Sequence, residues 1–328
     1  MLHIVNGDSA AHHLKAAGIA GEFLSWDDVL HEGPLPAPLP LREMSAVRVE
    51  FIVWRGWGGQ RETERRFRDR DVRLQRAGLN GEPVTLWTSS ELFDQLHRLQ
   101  ILDWAHREGT AADLRLVDIP GYLASGKQTE KELAALMKSA RPATGEQKAL
   151  GASVWTAFCS ANPEDFAALL QADLSPLPGL EAAVLRMLQE FPYLGTGLAR
   201  TEGQILVAIT DGAEKPHDLF RAVQSMEQTA FMGDWSFWVW VDRMSRGDAP
   251  LLTTKSGAPF QLPPDGRPGW RFNRQRLLLT GEGEAVLSGD LDWLTRHTID
   301  RWIGGVHLQK GDIWRWDPYE RRVVQELG

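Results

Sequence analysis

The sequence predicts an α/β protein: a mainly parallel sheet in the N-terminal part and a smaller α+β arrangement at the C-terminal end. Three observations carry this expectation. Short apolar runs at residues 2–5, 22–26, 83–87 and 113–118 alternate with helical stretches over the first 120 residues. From about residue 127 to residue 191 the pattern is wholly helical. From Gly197 onward, three helical segments precede two apolar runs, 250–252 and 277–280, that can pair as a hairpin. Strand–helix alternation implies parallel strands with right-handed crossovers, hence a Rossmann-like sheet. Three helices and a two-stranded wing make a winged-helix-like topology. The expected division is an α/β domain over 1–125 with a crevice at its strand ends, a helical connector over 126–195, and a Trp-rich winged-helix-like domain over 196–328.

Each element has a local reason. Leu2, Ile4 and Val5 form the first strand, Asn6-Gly7 turns the chain, and Asp8 or Ser9 is placed to cap a helix that stops at Gly18. The second strand, 22–26, runs into Asp27-Asp28-Val29-Leu30-His31-Glu32-Gly33-Pro34, after which Pro34, Pro36, Pro38 and Pro40 impose an extended loop. A helix follows over 43–54, and Gly56-Trp57-Gly58-Gly59 interrupts it. Residues 61–77 are strongly polar, with arginines three and four places from acids, which suits a solvated helix better than a phosphate-binding arginine cluster. After the strand 83–87, Ser89 or Ser90 is placed to cap an amphipathic helix whose apolar face includes Leu92, Phe93, Leu96 and Leu99. The fourth strand is 113–118. Helices are expected over 129–139, 145–160, 163–171 and 179–190. Three more start near 201, 216 and 234, and helix also fits 284–289 and 291–296. Residues 300–308 and 313–317 read as one terminal hairpin turning at Lys310-Gly311.

Composition narrows the function classes. At 328 residues, 43% hydrophobic and 24% charged, the chain is globular and long enough for two cores. A net charge of −8 argues against broad nucleic-acid binding but leaves room for a local basic patch. The single cysteine, Cys159, excludes an internal disulfide and a multi-cysteine metal site, and its apolar helical setting suits a buried, inert thiol. No apolar run reaches the roughly 20 residues that span a bilayer, and the first strand begins without a basic leader, so a cytoplasmic protein with no membrane partner is expected. Eight of the 14 tryptophans follow residue 230; Trp235, Trp238 and Trp302 are expected in a core.

The candidate ligand-binding residues are Gly7, Asp8, Ser9, Asp27, Asp28, His31, Thr88, Ser90 and Asp118, because successive strand ends bring them toward one sheet edge. Helix caps and turns explain several of them equally well. A small anionic or nucleotide-like ligand fits the helix N-terminus after the first strand, with Asp27, Asp28 or His31 on the far side and with ligand hydroxyls or a cation answering the acids. The triplet Gly7-Asp8-Ser9 resembles the nucleophile block of GDS-type ester hydrolases, and Asp94-Gln95-Leu96-His97 is an Asp-x-x-His pair placed inside a helix. Asp27, Asp28 and Glu32 offer oxygens to Mg²⁺ without diagnostic spacing, and His12-His13 point about 100° apart on a helix, so no metal site is assigned. With no phosphate-binding Walker loop and no glycine-rich dinucleotide fingerprint, no cofactor or catalytic residue is assigned. The third C-terminal helix carries Arg243 and Arg246 only near its end and is aromatic at its centre, which suits burial or a protein partner better than base readout.

Five blocks, taken together, resemble a bacterial family, domain of unknown function 1835 with its associated C-terminal region. They are residues 3–11, residues 26–34, Leu86-Trp87 with Leu92-Phe93-Asp94-Gln95-Leu96, residues 231–238, and residues 300–308. Thr88-Ser89-Ser90 departs from the aromatic or acidic run expected there, so no mechanism is placed on those side chains. The resemblance implies the architecture and no particular activity. The expected function is small-ligand binding by the α/β domain coupled to an interaction or regulatory domain. The alternatives are a hydrolase or metal-assisted phosphate chemistry at the same crevice, or a DNA-binding regulator acting through the winged-helix-like domain.

Overall fold

The computed structural model describes residues 1–327 other than 38, 109–112, 122–127 and 264–265, so Pro38 and the expected boundary at residue 125 lie outside the described residues. The chain divides into two compact units, Met1–Met187 with Arg301–His307, and Leu188–Asp300 with Leu308–Gly328.

The first unit begins β1 (Leu2–Val5), α1 (Gly7–Ala16), β2 (Glu22–Ser25), α2 (Leu41–Trp54) and α3 (Gln60–Leu79). It continues with β3 (Val84–Ser89), α4 (Leu92–Arg107), β4 (Leu114–Ile119), α5 (Glu130–Ser139), β5 (Arg141–Pro142), α6 (Gly145–Phe158), α7 (Pro163–Ala167) and α8 (Leu180–Leu188). The sheet order is β2-β1-β3-β4-β5. The first four strands are parallel, with Val5 beside Ser25, Ile4 beside Leu86, and Thr88 beside Asp118. The expected α/β class with a mostly parallel sheet is therefore present. The two-residue β5 pairs antiparallel with β4, an edge piece that sequence reasoning did not anticipate. Proline at its end is tolerated because an edge strand leaves one side unpaired.

Strands β1 and β3 are buried along their whole length, as near-continuous apolar runs covered on both faces should be. Val5, Leu14, Trp87, Val117 and Leu133 join in one core cluster. Helix α4 packs against α6, and a Cβ on Gly151 would lie 2.5 Å from Leu102 Cβ, so glycine sets how closely these helices approach. Capping boxes at Thr129 with Glu132 and at Thr144 with Gln147 fix where α5 and α6 begin.

The second unit contains α9 (Arg200–Thr210), α10 (Pro216–Ser225), α11 (Asp234–Met244), β6 (Leu252–Thr254), α12 (Trp270–Asn273), β7 (Leu277–Leu279) and α13 (Gly281–Ser288). As expected, β6 and β7 pair antiparallel. Its core is aromatic: Trp238, 1% exposed, lies 5.1 Å from the Phe272 ring and 5.2 Å from Phe237.

One expectation needs correction here. The C-terminal run is not one hairpin: β8 (Arg301–Ile303) pairs with β9 (Val306–Leu308) across Gly304-Gly305, and β10 (Asp312–Asp317) pairs with β11 (Arg322–Leu327). Gly304 and Gly305 lie so close to the end of α6 that a Cβ on either would meet the carbonyls of Phe158 and Cys159 at 2.2 and 2.0 Å. The tryptophans expected to be mostly buried are so: Trp238 is fully buried, and Trp235 and Trp302 are partly buried, Trp302 being stacked on His307 at 4.4 Å.

Candidate functional site

The strand order places a topological switch between β1 and β3, since the chain leaves β1 toward β2 on one side and returns to β3 on the other. Ligand crevices in open α/β sheets lie at the carboxyl ends of strands at such a switch. Asn6 follows β1 here, and Ser89 ends β3. Asp94, in the first turn of α4, ties the two together: Asn6 Nδ2 donates to its Oδ1 at 2.9 Å, and Ser89 donates through both N and Oγ to its Oδ2 at 2.7 Å. Gln95 Nε2 donates to the Ser89 carbonyl at 2.6 Å. The edge is thus a hydrogen-bonded clasp rather than a loose pair of turns.

The nine sequence candidates divide by exposure. Asp8, Ser9, Ser90 and Asp118 are exposed at this edge, and Gly7 is half-buried there. Gly7 has φ +82°, in the left-handed region that glycine tolerates, and α1 starts at that residue with Asn6 as N-cap. Asp8 and Ser9 therefore lie inside the first turn, and neither is the cap. The cap of α4 is likewise Glu91, not Ser89 or Ser90. Asp8 accepts from Ser25 Oγ at the end of β2. Asp118 pairs at 3.0 Å with Arg98, a fully buried guanidinium that also donates to the Pro178 carbonyl at 3.2 Å.

The other four candidates point inward or are engaged. Asp28 is buried and pairs with Arg48 at 2.9 Å, both side chains wholly shielded from solvent. Arg48 also donates to the carbonyls of Val29, Glu32 and Pro34, so one guanidinium fixes the Asp28–Pro34 loop. His31 is buried against Phe93 at 4.5 Å and lies 3.4 Å from Glu32. Asp27 is half-buried and pairs with Arg66 at 3.1 Å. Thr88 is buried within β3. Asp28 and His31 consequently do not line an open far side. Three α3 arginines are engaged likewise: Arg66 and Arg73 pair with acids, and Arg70 is buried over the Trp26 ring at 3.9 Å.

Sequence reasoning missed Glu91. It is 6% exposed beside Asp94 and makes no ion pair among the described residues. Burial, reinforced by the Asp94 carboxylate, pushes its carboxyl up to about 8. At neutral pH it holds its proton beside Asp94, the state a general acid or a hydrogen-bond donor to a ligand requires. The only available signal was an acid directly before an apolar helix, which reads as an ordinary helix start. Because the folded state keeps a proton that the unfolded chain releases near 4.5, this group's contribution is full below pH 4.5. It is lost as pH rises through about 8. Glu91→Gln is expected to remove that decline in urea melts between pH 4.5 and 9, and a wild-type stability that rises across the window would contradict the assignment.

The histidine of the Asp94–His97 pair is engaged in the interior. His97 is buried, burial holds its imidazole below the ordinary range, and its Nε2 donates to the Asp28 carbonyl at 2.7 Å. Among the described residues, no group of three or more His, Cys, Asp or Glu side chains is arranged to hold a metal ion. Cys159 is buried, and burial pushes its thiol up, away from nucleophilic reactivity. Among the described residues, no helix is long and apolar enough to cross a membrane. No protein-family model matches the chain, and no curated protein matches it.

Proposed function

We propose that the first unit is a Rossmann-like ligand-binding module whose site is the β1/β3 strand-end edge, and that it takes a small, hydroxyl-bearing, nucleotide-like molecule. The observation that carries this reading is the Asn6–Asp94–Ser89 clasp at the topological switch, with Glu91 held protonated beside it. Exposed Asp8 and Asp118 accept from ligand hydroxyls. Backbone N–H groups in the first turns of α1 and α4 suit an anionic group, and the Asp8 carboxylate favours hydroxyl contacts in its own immediate vicinity. Binding is coupled to the second unit, read as a winged-helix-like interaction or regulatory module on the order α9, α10, α11, β6, β7. We also place the chain, as a cytoplasmic protein, in the family described as domain of unknown function 1835. In support, residues of the resembling blocks carry structural work here, among them Asp28, Asp94 and Gly304-Gly305.

A second reading makes the same edge catalytic, with Glu91 as general acid, and rests on its raised proton affinity alone.

Thermal-shift titration with adenosine monophosphate, adenosine diphosphate and ribose 5-phosphate tests the proposal. A ligand specific for the folded state adds about 2.7 kcal/mol of apparent stability at a hundredfold excess over Kd. At least one compound is expected to raise the melting temperature, and a flat response to all three would contradict the nucleotide-like assignment.

A further inference from the structure

The second unit carries a groove of about 970 Å³ whose lining, among the described residues, includes Lys215, Lys255, Arg271, Arg274 and Arg276 and no carboxylate. All five cations are exposed. Arg276 pairs with Glu214 at 3.2 Å, whereas Lys215, Lys255, Arg271 and Arg274 have no ion pair among the described residues. In a chain of net charge −8, four cations with no ion pair among the described residues lie together in this one groove. At 0.1 M salt the Debye length is about 10 Å, so the local cluster, not the distant net charge, sets the potential inside the groove.

An aromatic surface accompanies the charge. Trp270 opens α12 and is 66% exposed, in contrast to the buried Trp238 of α11. The guanidinium groups of Arg271 and Arg274, both lining the groove, lie 5.4 and 5.8 Å from its ring centroid. The support beneath is rigid. Phe272 is buried among Trp238 and Phe260, and Gln275 clips Gln261 by accepting from its N at 2.8 Å and donating to its carbonyl at 2.9 Å. The backbone N of Lys255 donates to the Arg276 carbonyl at 2.8 Å, which joins the end of β6 to the start of β7.

We infer that this groove binds a single strand of nucleic acid, with phosphates along Lys215, Lys255, Arg271 and Arg274 and an unstacked base on Trp270. Cations that track a backbone beside an exposed ring are what sequence-tolerant single-strand binding requires. A duplex keeps its bases stacked and has none to offer the ring. The aromatic centre of α11 does not conflict with this, because the contacts come from the β6–α12–β7 segment.

The test is fluorescence anisotropy of the full chain with a labelled 12-nucleotide oligo-dT or oligo-U, and with a 12-base-pair duplex and inorganic polyphosphate as comparisons. Neutralising four phosphates gives a log–log salt slope of about −2.8, so affinity for the single strand should fall roughly 50-fold between 50 and 200 mM salt. The double variant Arg271→Ala/Arg274→Ala should bring the slope to about −1.4. Trp270→Ala should weaken the oligonucleotide roughly 5- to 150-fold without weakening polyphosphate. Trp54→Ala, which removes a 78% exposed tryptophan of the first unit, should leave binding unchanged. Absence of saturable binding at 50 mM salt, a duplex bound as tightly as the single strand, or a Trp270→Ala protein within twofold of wild type would each overturn the inference.

Discussion

Arg48→Ala is expected to destabilise the protein by about 3–5 kcal/mol, the range for removing one partner of a buried ion pair. The cause is specific. Asp28 and Arg48 are both wholly shielded, and deleting the guanidinium leaves a buried carboxylate unpaired together with three loop carbonyls that it held. Replacing both partners, Asp28→Leu with Arg48→Met, should recover much of the loss, since no charge remains stranded. Urea melts of the single and double variants check this, and a loss below about 1 kcal/mol for Arg48→Ala would contradict a buried pair of this kind.

Trp238→Ala should cost about 3–5 kcal/mol, the range for truncating a large aromatic in a core. The indole is 1% exposed and contacts the rings of Phe220, Phe237, Phe260 and Phe272 at 5.1–6.4 Å, so its removal opens a cavity that aromatic neighbours cannot readily refill. Denaturant midpoints at an unchanged m-value measure it. A near-neutral variant would mean that α11 presents this ring to a partner instead.

Elements with strong periodicity were legible in the sequence. The four parallel strands, the β6–β7 hairpin and the limits of α11 all follow from apolar runs and their punctuation. Boundaries slipped where a backbone conformation decided them. The left-handed Gly7 lets α1 begin before Asp8, which turns two expected caps into first-turn residues. The Gly304-Gly305 turn, in close contact with the end of α6, splits the last run into two hairpins.

The candidate site was half legible for a related reason. Strand ends could be located, so Asp8, Ser9, Ser90 and Asp118 were expected at the strand-end edge, where they are exposed. Adjacent Asp27 and Asp28 look alike in sequence, yet Arg66 holds one near solvent and Arg48 seals the other inside. Those partners are tens of residues away and invisible to local pattern. Helix α4 concealed the most. It is buried on nearly every side, so Asp94, His97 and Arg98 take interior positions that a hydrophobic pattern assigns to solvent.

The first-turn position of Ser9 makes Ser9→Ala a clean probe of the β1/β3 edge. The side chain is exposed and does not cap α1, so the variant should melt within about 0.5 kcal/mol of wild type. Asp28→Asn cannot serve this purpose, because it would disturb the ion pair with Arg48. The most direct measurement is therefore the nucleotide-induced thermal shift of wild type, Ser9→Ala and Asp8→Asn, run alongside their unliganded melts. The account predicts folded variants with near-wild-type unliganded stability and a shift that is lost or strongly reduced in both. A full wild-type shift in both variants would contradict a ligand site at this edge.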